Sequence, residues 1–110
     1  MDWCDDIRAR FPDWGTEGAA LRWPEVRARL SVGDVVNGVV VARAPFGVWL
    51  DIGVGHPALL RVPEIEGARE RRLQFADYPA IGTTERARVI WINDKQCEIS
   101  LTQRDDERPD

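Results

Sequence analysis

Val35-Val36-Asn37-Gly38-Val39-Val40-Val41-Ala42 and, after a short link, Gly47-Val48-Trp49-Leu50-Asp51-Ile52 decide how this chain folds. The first run is rich in β-branched valine, which suits a pleated strand better than a helix. Gly38 interrupts it and permits a bulge or sharp bend of the kind a small barrel needs. In the second run Val48, Leu50 and Ile52 alternate with Gly47, Trp49 and Asp51, giving one inward and one outward face. Three further strands follow: Ala58 to Val62, bounded by Pro57 and Pro63; Arg86 to Ile92; and Glu98 to Thr102. The polar link Asn93-Asp94-Lys95-Gln96-Cys97 suits a hairpin turn. Residues 63–83 carry Pro, Gly and charges, and they predict a short helical turn with Leu73 and Phe75 as anchors. Five strands with a long connection between the third and fourth predict an all-β fold, a five-stranded Greek-key barrel of the OB type.

Upstream of the strands the period changes. Trp3, Ile7 and Phe11 recur every four residues and share one face of a short helix that Pro12 would end. Pro24 reads as the first residue of a second helix, with Glu25 in its first turn, running to about Leu30. Neither helix is long enough to be stable alone. Both are expected to pack on the barrel; the alternative is that Trp3, Trp14 and Trp23 form a patch for a protein partner. The chain is thus expected to divide into a tryptophan-rich helical extension over 1–31, a barrel domain over 32–103 and a disordered acidic tail over 104–110.

Composition narrows the function. The chain has 110 residues, with 15 basic and 19 acidic side chains and a formal charge of -4. Its pI of about 5.0 argues against strong nonspecific binding of DNA. No run approaches the ~20 apolar residues of a membrane span. The acidic start Asp2-Trp3-Cys4-Asp5-Asp6 lacks the apolar core of a secretory signal. Cys4 and Cys97 are expected to be reduced thiols in a cytoplasmic protein. The single histidine, His56, cannot build a His-based metal set, and the two distant cysteines make no zinc knuckle. There is no Gly-rich phosphate loop. Asp51, Asp94 and Glu98 are scattered acids. Neither a cofactor nor a catalytic centre is expected. His56 itself is expected to be an exposed turn residue.

Four segments in register resemble the S1 RNA-binding domain. They are Ser31-Val32-Gly33-Asp34-Val35-Val36-Asn37-Gly38-Val39-Val40 with its internal Gly38, Pro45-Phe46-Gly47-Val48-Trp49-Leu50-Asp51-Ile52, Ala58-Leu59-Leu60-Arg61-Val62-Pro63-Glu64-Ile65, and the closing Ile99-Ser100-Leu101-Thr102. The resemblance covers about 32–103. It implies binding of single-stranded RNA in translation or RNA metabolism, with aromatic rings stacking on unpaired bases and cations along the phosphates; the acidic balance of the chain makes that binding weak to moderate and salt-sensitive. Phe46 and Trp49 fall on the family's aromatic positions. Phe46 is also readable as a plug of the barrel end, and Trp49 as a platform for the helices. Arg61 falls on the family's histidine and keeps a cation that can stack or reach phosphate. Arg43 precedes the aromatic segment, and Asn93 replaces an acid but can still hydrogen-bond. Glu98 reverses the charge of a basic position and would repel phosphate. Arg86 and Arg88 share a face of the fourth strand; Arg69, Arg71 and Arg72 read as a solvated cluster, and Trp91 as packed under the extension. The competing reading is a protein-interaction module that keeps the scaffold without the RNA surface.

Overall fold

The computed structural model describes residues 2–68 and 70–104. Of the tail expected over 104–110 only Arg104 falls within them, and Arg69 of the arginine cluster falls outside. Two helices, α1 (Trp3–Arg10) and α2 (Glu17–Ala28), precede five strands: β1 (Val35–Ala44), β2 (Gly47–Asp51), β3 (Pro57–Arg61), β4 (Thr84–Asn93) and β5 (Glu98–Thr102). The strands close into a barrel in the order β1-β2-β3-β5-β4. β3 and β5 pair in parallel and the other neighbours antiparallel. This is the OB-type barrel with helical additions that the alternating strands predict.

The core follows from that alternation. Val40 of β1, Val48 and Leu50 of β2, Ala58 and Leu60 of β3, Val89 of β4, and Ile99 and Leu101 of β5 fill the interior. The bulge in β1 is not at Gly38. The register slips between Val40 and Ala42, and again between Val89 and Trp91. Gly38 is needed for closeness instead: a Cβ there would stand 2.8 Å from Ile52 Cγ2 and 3.0 Å from Leu50 Cβ. Gly47 is tighter still, because its Cβ would run into the Leu60 carbonyl oxygen and lie 2.8 Å from Arg61 Cα.

The helices close over the barrel. Asp2 caps α1 by accepting from the Asp5 N–H at 3.0 Å, and Asp5, Asp6, Arg8 and Arg10 match the helix dipole. As the four-residue spacing predicts, Ile7 and Phe11 are buried, packing on Ala42 of β1. Pro24 does not open α2. The helix begins earlier, at the cap residue Thr16, and carries Pro24 inside it. Ala19, Trp23, Val26 and Leu30 form a buried stripe at helical spacing. Anchoring that stripe in the barrel core outweighs the N–H that Pro24 cannot offer to the Ala20 carbonyl.

The long connection holds single 3₁₀ turns at Val62–Glu64 and Phe75–Asp77. Leu73 packs partly buried against the core. Phe75 is no anchor, being 48% exposed. Tyr78 takes that part, buried with its hydroxyl donating to the Pro45 carbonyl at 2.8 Å.

Two substitutions test this packing. Gly47→Ala should cost roughly 1–3 kcal/mol in urea denaturation, since it forces β2 away from β3. An unchanged midpoint would contradict the close approach. Ile7→Ala should cost roughly 2–5 kcal/mol by the same measurement if α1 is an integral part of the fold.

Candidate nucleic-acid interface

Cross-strand partners share a face of a sheet, so register alone assembles an outer surface. Ala42 pairs with Trp49, Trp49 with Leu59, Leu59 with Ser100, and Ser100 with Trp91. Arg61 lies two residues beyond Leu59. Glu98 lies two before Ser100 and pairs with Asn93. One strip therefore crosses the barrel from Ala42 to Trp91, with Asn93 at its end.

Helix α1 covers the Ala42 end. Trp3 stacks on Trp49 with ring centroids 6.0 Å apart and an interplanar angle of 15°. Trp14 meets Trp49 edge-on at 6.0 Å, and Trp3 meets Phe46 at 5.2 Å. Arg10 fixes the helix with Nε and Nη2 both 2.7 Å from Asp51 Oδ2. The Trp49 indole N–H is buried without a partner, a desolvated donor costing about 1–3 kcal/mol. Trp49 is thus the platform on which the extension sits. Trp23 does not join a tryptophan patch; it is buried, with Nε1 donating to Asp94 Oδ1 at 2.8 Å.

Beyond α1, Leu59 and Ser100 are buried in the middle of the strip, and the exposed rings are Phe46 and Trp91. Phe46 sits in the β1–β2 turn, 43% exposed, and its carbonyl accepts from the Val62 N–H at 3.0 Å. Arg61 pairs with the adjacent Gly47 and donates through Nη1 to Ser100 Oγ at 2.9 Å. Across from Ser100, Trp91 is 49% exposed rather than packed under the extension. Sequence parity hid it. Strict alternation would put Ala87, Val89 and Trp91 on one face of β4, but the register slip after Val89 turns Trp91 outward and brings Ile92 against the core.

Arg43 is committed elsewhere, and Asn93 has one side-chain atom engaged. The Arg43 guanidinium lies 4.4 Å over the Phe75 ring and donates to the Phe75 carbonyl, and its Nε is buried without a partner. It braces the long connection instead of lining the strip. The Asn93 side-chain Oδ1 accepts from the Gln96 N–H at 3.1 Å and shapes the β4–β5 turn.

His56 is also not where its loop position predicted. It is 5% exposed, its ring 5.2 Å from Trp23, with Nε2 donating to the Cys97 carbonyl at 2.7 Å. Cys4 and Cys97 are free thiols, and burial pushes the Cys97 thiol up. Among the described residues, no group of three or more His, Cys, Asp or Glu could hold a metal, and no helix is long and apolar enough to cross a membrane.

The chain is 30% identical over 78 residues to small ribosomal subunit protein bS1 of Streptococcus pneumoniae, covering 71% of this chain and 19% of that protein. A chain from the crystal structure of the a/eIF2alpha–aDim2p–rRNA complex of Pyrococcus horikoshii superposes with a TM-score of 0.59 at 22% identity, over 68% of this chain and 45% of that one. The barrel is an S1-type domain. RNase R of Mycoplasma genitalium, in complex with ribose-methylated single-stranded RNA, superposes on the S1-type domain at a TM-score of 0.51 and 20% identity, over 64% of this chain and 13% of that one. A second curated relative, 4-hydroxy-3-methylbut-2-enyl diphosphate reductase of Clostridium tetani, is 28% identical over 80 residues, 73% of this chain and 12% of that protein. This chain therefore spans only 12% and 19% of these two curated relatives. No family model matches it.

Around the S1-type domain, His56 makes stability depend on pH. Burial holds its imidazole below the ordinary value, against the opposing pull of the Cys97 hydrogen bond; Arg22 adds to the lowering. The unfolded chain then binds this proton more readily than the folded one. Stability is full above the unfolded value of ~6.5 and is lost as the pH falls from there toward the lower folded value. Asp13, held low by Arg22, and Asp77, held low by the Gln74 N–H, titrate below this window. Thermal melts should show a lower Tm at about pH 5.5 than at about pH 7.5. His56→Gln should flatten that difference, and an equal drop in both proteins would assign the proton elsewhere.

Proposed function

We propose that this chain is a single-stranded RNA-binding module that uses Phe46, Arg61 and Trp91 along the strip. The observation that carries the reading is the exposure of two aromatic rings on either side of an arginine with no ion pair among the described residues. Each ring offers a π face to an unpaired base, and Arg61 has donors beyond the one given to Ser100, free to meet a phosphate or a base edge. The S1-type barrel and its similarity to a protein solved with single-stranded RNA support the same reading. Trp49 supports α1 in this arrangement, Arg43 braces the long connection, and Asn93 offers its side-chain amide N–H groups at the far end of the strip. Binding is weak to moderate and salt-sensitive, because the chain is acidic overall and few cations line the strip.

One observation favours a protein-interaction module instead: Trp3 occupies the Trp49 face that a base would otherwise use. In that reading Phe46 and Trp91 meet apolar groups of a partner.

An NMR amide-shift titration with a short mixed-sequence RNA, at low and near-physiological salt, separates the two. Shifts centred on Phe46, Arg61 and Trp91, weakened by salt, are expected. Phe46→Ala and Trp91→Ala should each weaken binding by about 1–3 kcal/mol, the value of one stacked base. A spectrum unmoved by RNA at low salt would leave the protein-interaction reading.

A further inference from the structure

A second concavity adjoins the strip where the helical extension faces the β4–β5 turn. Trp14, Thr16 and Ala20 form one side, Trp49 and Pro57 the floor, and Lys95 and Glu98 the opposite side of a cleft of about 360 Å³. That is at the small end of ligand-sized pockets, ~300–1,000 Å³. Two indoles give it aromatic walls. Glu98 is half-buried, and its carboxylate has no hydrogen bond or ion pair among the described residues. A carboxylate so placed accepts hydrogen bonds and repels phosphate, so it selects for a group rich in donors. Lys95, exposed at the rim, supplies the one cation.

We propose that this cleft receives a single unpaired guanine of the bound strand. This rests on the RNA reading above and extends it to base choice. Guanine presents two adjacent donors, N1–H and the N2 amino group, on its Watson–Crick edge, matching the two oxygens of Glu98. Uracil, cytosine and adenine offer a donor at only one position on that edge. The base stacks against the tryptophan wall, Glu98 takes its edge, and Lys95 meets the adjoining phosphate. The charge reversal at position 98 then serves recognition of a base.

The test compares hexauridine with the same strand carrying one central guanosine, adenosine or cytidine, bound to the full chain at low salt and followed by fluorescence anisotropy. The guanosine strand should bind about tenfold tighter than hexauridine or the other two. Glu98→Gln removes one acceptor and should abolish that preference while leaving hexauridine binding intact or stronger. Trp14→Ala, checked for folding by circular dichroism, should weaken the guanosine strand most; if it unfolds, Glu98→Gln alone decides. Equal binding of all four strands, or a guanosine preference that survives Glu98→Gln, overturns the guanine cleft and leaves the RNA module standing. Absence of binding by every strand overturns both.

Discussion

Trp3 stacked on Trp49 is the contact on which the candidate surface depends. It is held from both ends: Ile7 and Phe11 bury against Ala42, and Arg10 grips Asp51. A large outward tryptophan on an OB barrel would otherwise present its face to solvent. Here that face meets another indole of the same chain, and the area removed from water stabilises α1, which at eight residues could not persist alone. The helix thus takes one half of the strip and leaves the half around Phe46, Arg61 and Trp91.

Two register slips set what remains. The slip after Val40 lets β1 curl around the barrel while keeping Ala42 and Ala44 buried. The slip after Val89 reverses the phase of β4, so a tryptophan with core parity emerges at the surface and Ile92 turns inward. A bulge adds one residue and flips every side chain beyond it. On β4 this converts a hydrophobic residue from packing material into an exposed ring beside Arg61.

These facts explain what was legible in the sequence. The alternation of Val48, Leu50 and Ile52, and the turn chemistry of Asn93 to Cys97, are local signals, and they locate the strands to within a few residues. The spacing of Trp3, Ile7 and Phe11 defines the buried face of α1. It does not say which barrel residues that face meets, because long-range docking leaves no local period. Pro24 misled for the opposite reason: its local preference for a helix start is real, but the stripe Ala19, Trp23, Val26 and Leu30 gains more by burial than the proline costs. His56 lies in a loop between Gly55 and Pro57 and looks exposed, yet α2 brings Trp23 over it. Within the candidate site, Phe46 and Arg61 were readable from the family pattern; Trp91 was not, since nothing in the sequence marks a bulge after Val89.

The distribution of cations completes the physical picture. Arg10, Arg22, Arg27, Arg71 and Arg104 pair with Asp51, Asp13, Asp94, Asp77 and Glu64 respectively. Arg43 is held over Phe75. These contacts tie the helices and the long connection to one another and to the barrel, so six of the chain's 15 cations serve the fold. A strip with one central arginine cannot hold a nucleic acid mainly through its phosphates. Any affinity it has for RNA must come from ring stacking and from hydrogen bonds to base edges, and those are the interactions that distinguish one base from another. An acidic, weakly charged surface of this kind sacrifices nonspecific attraction and thereby leaves selectivity to the few side chains that touch a base.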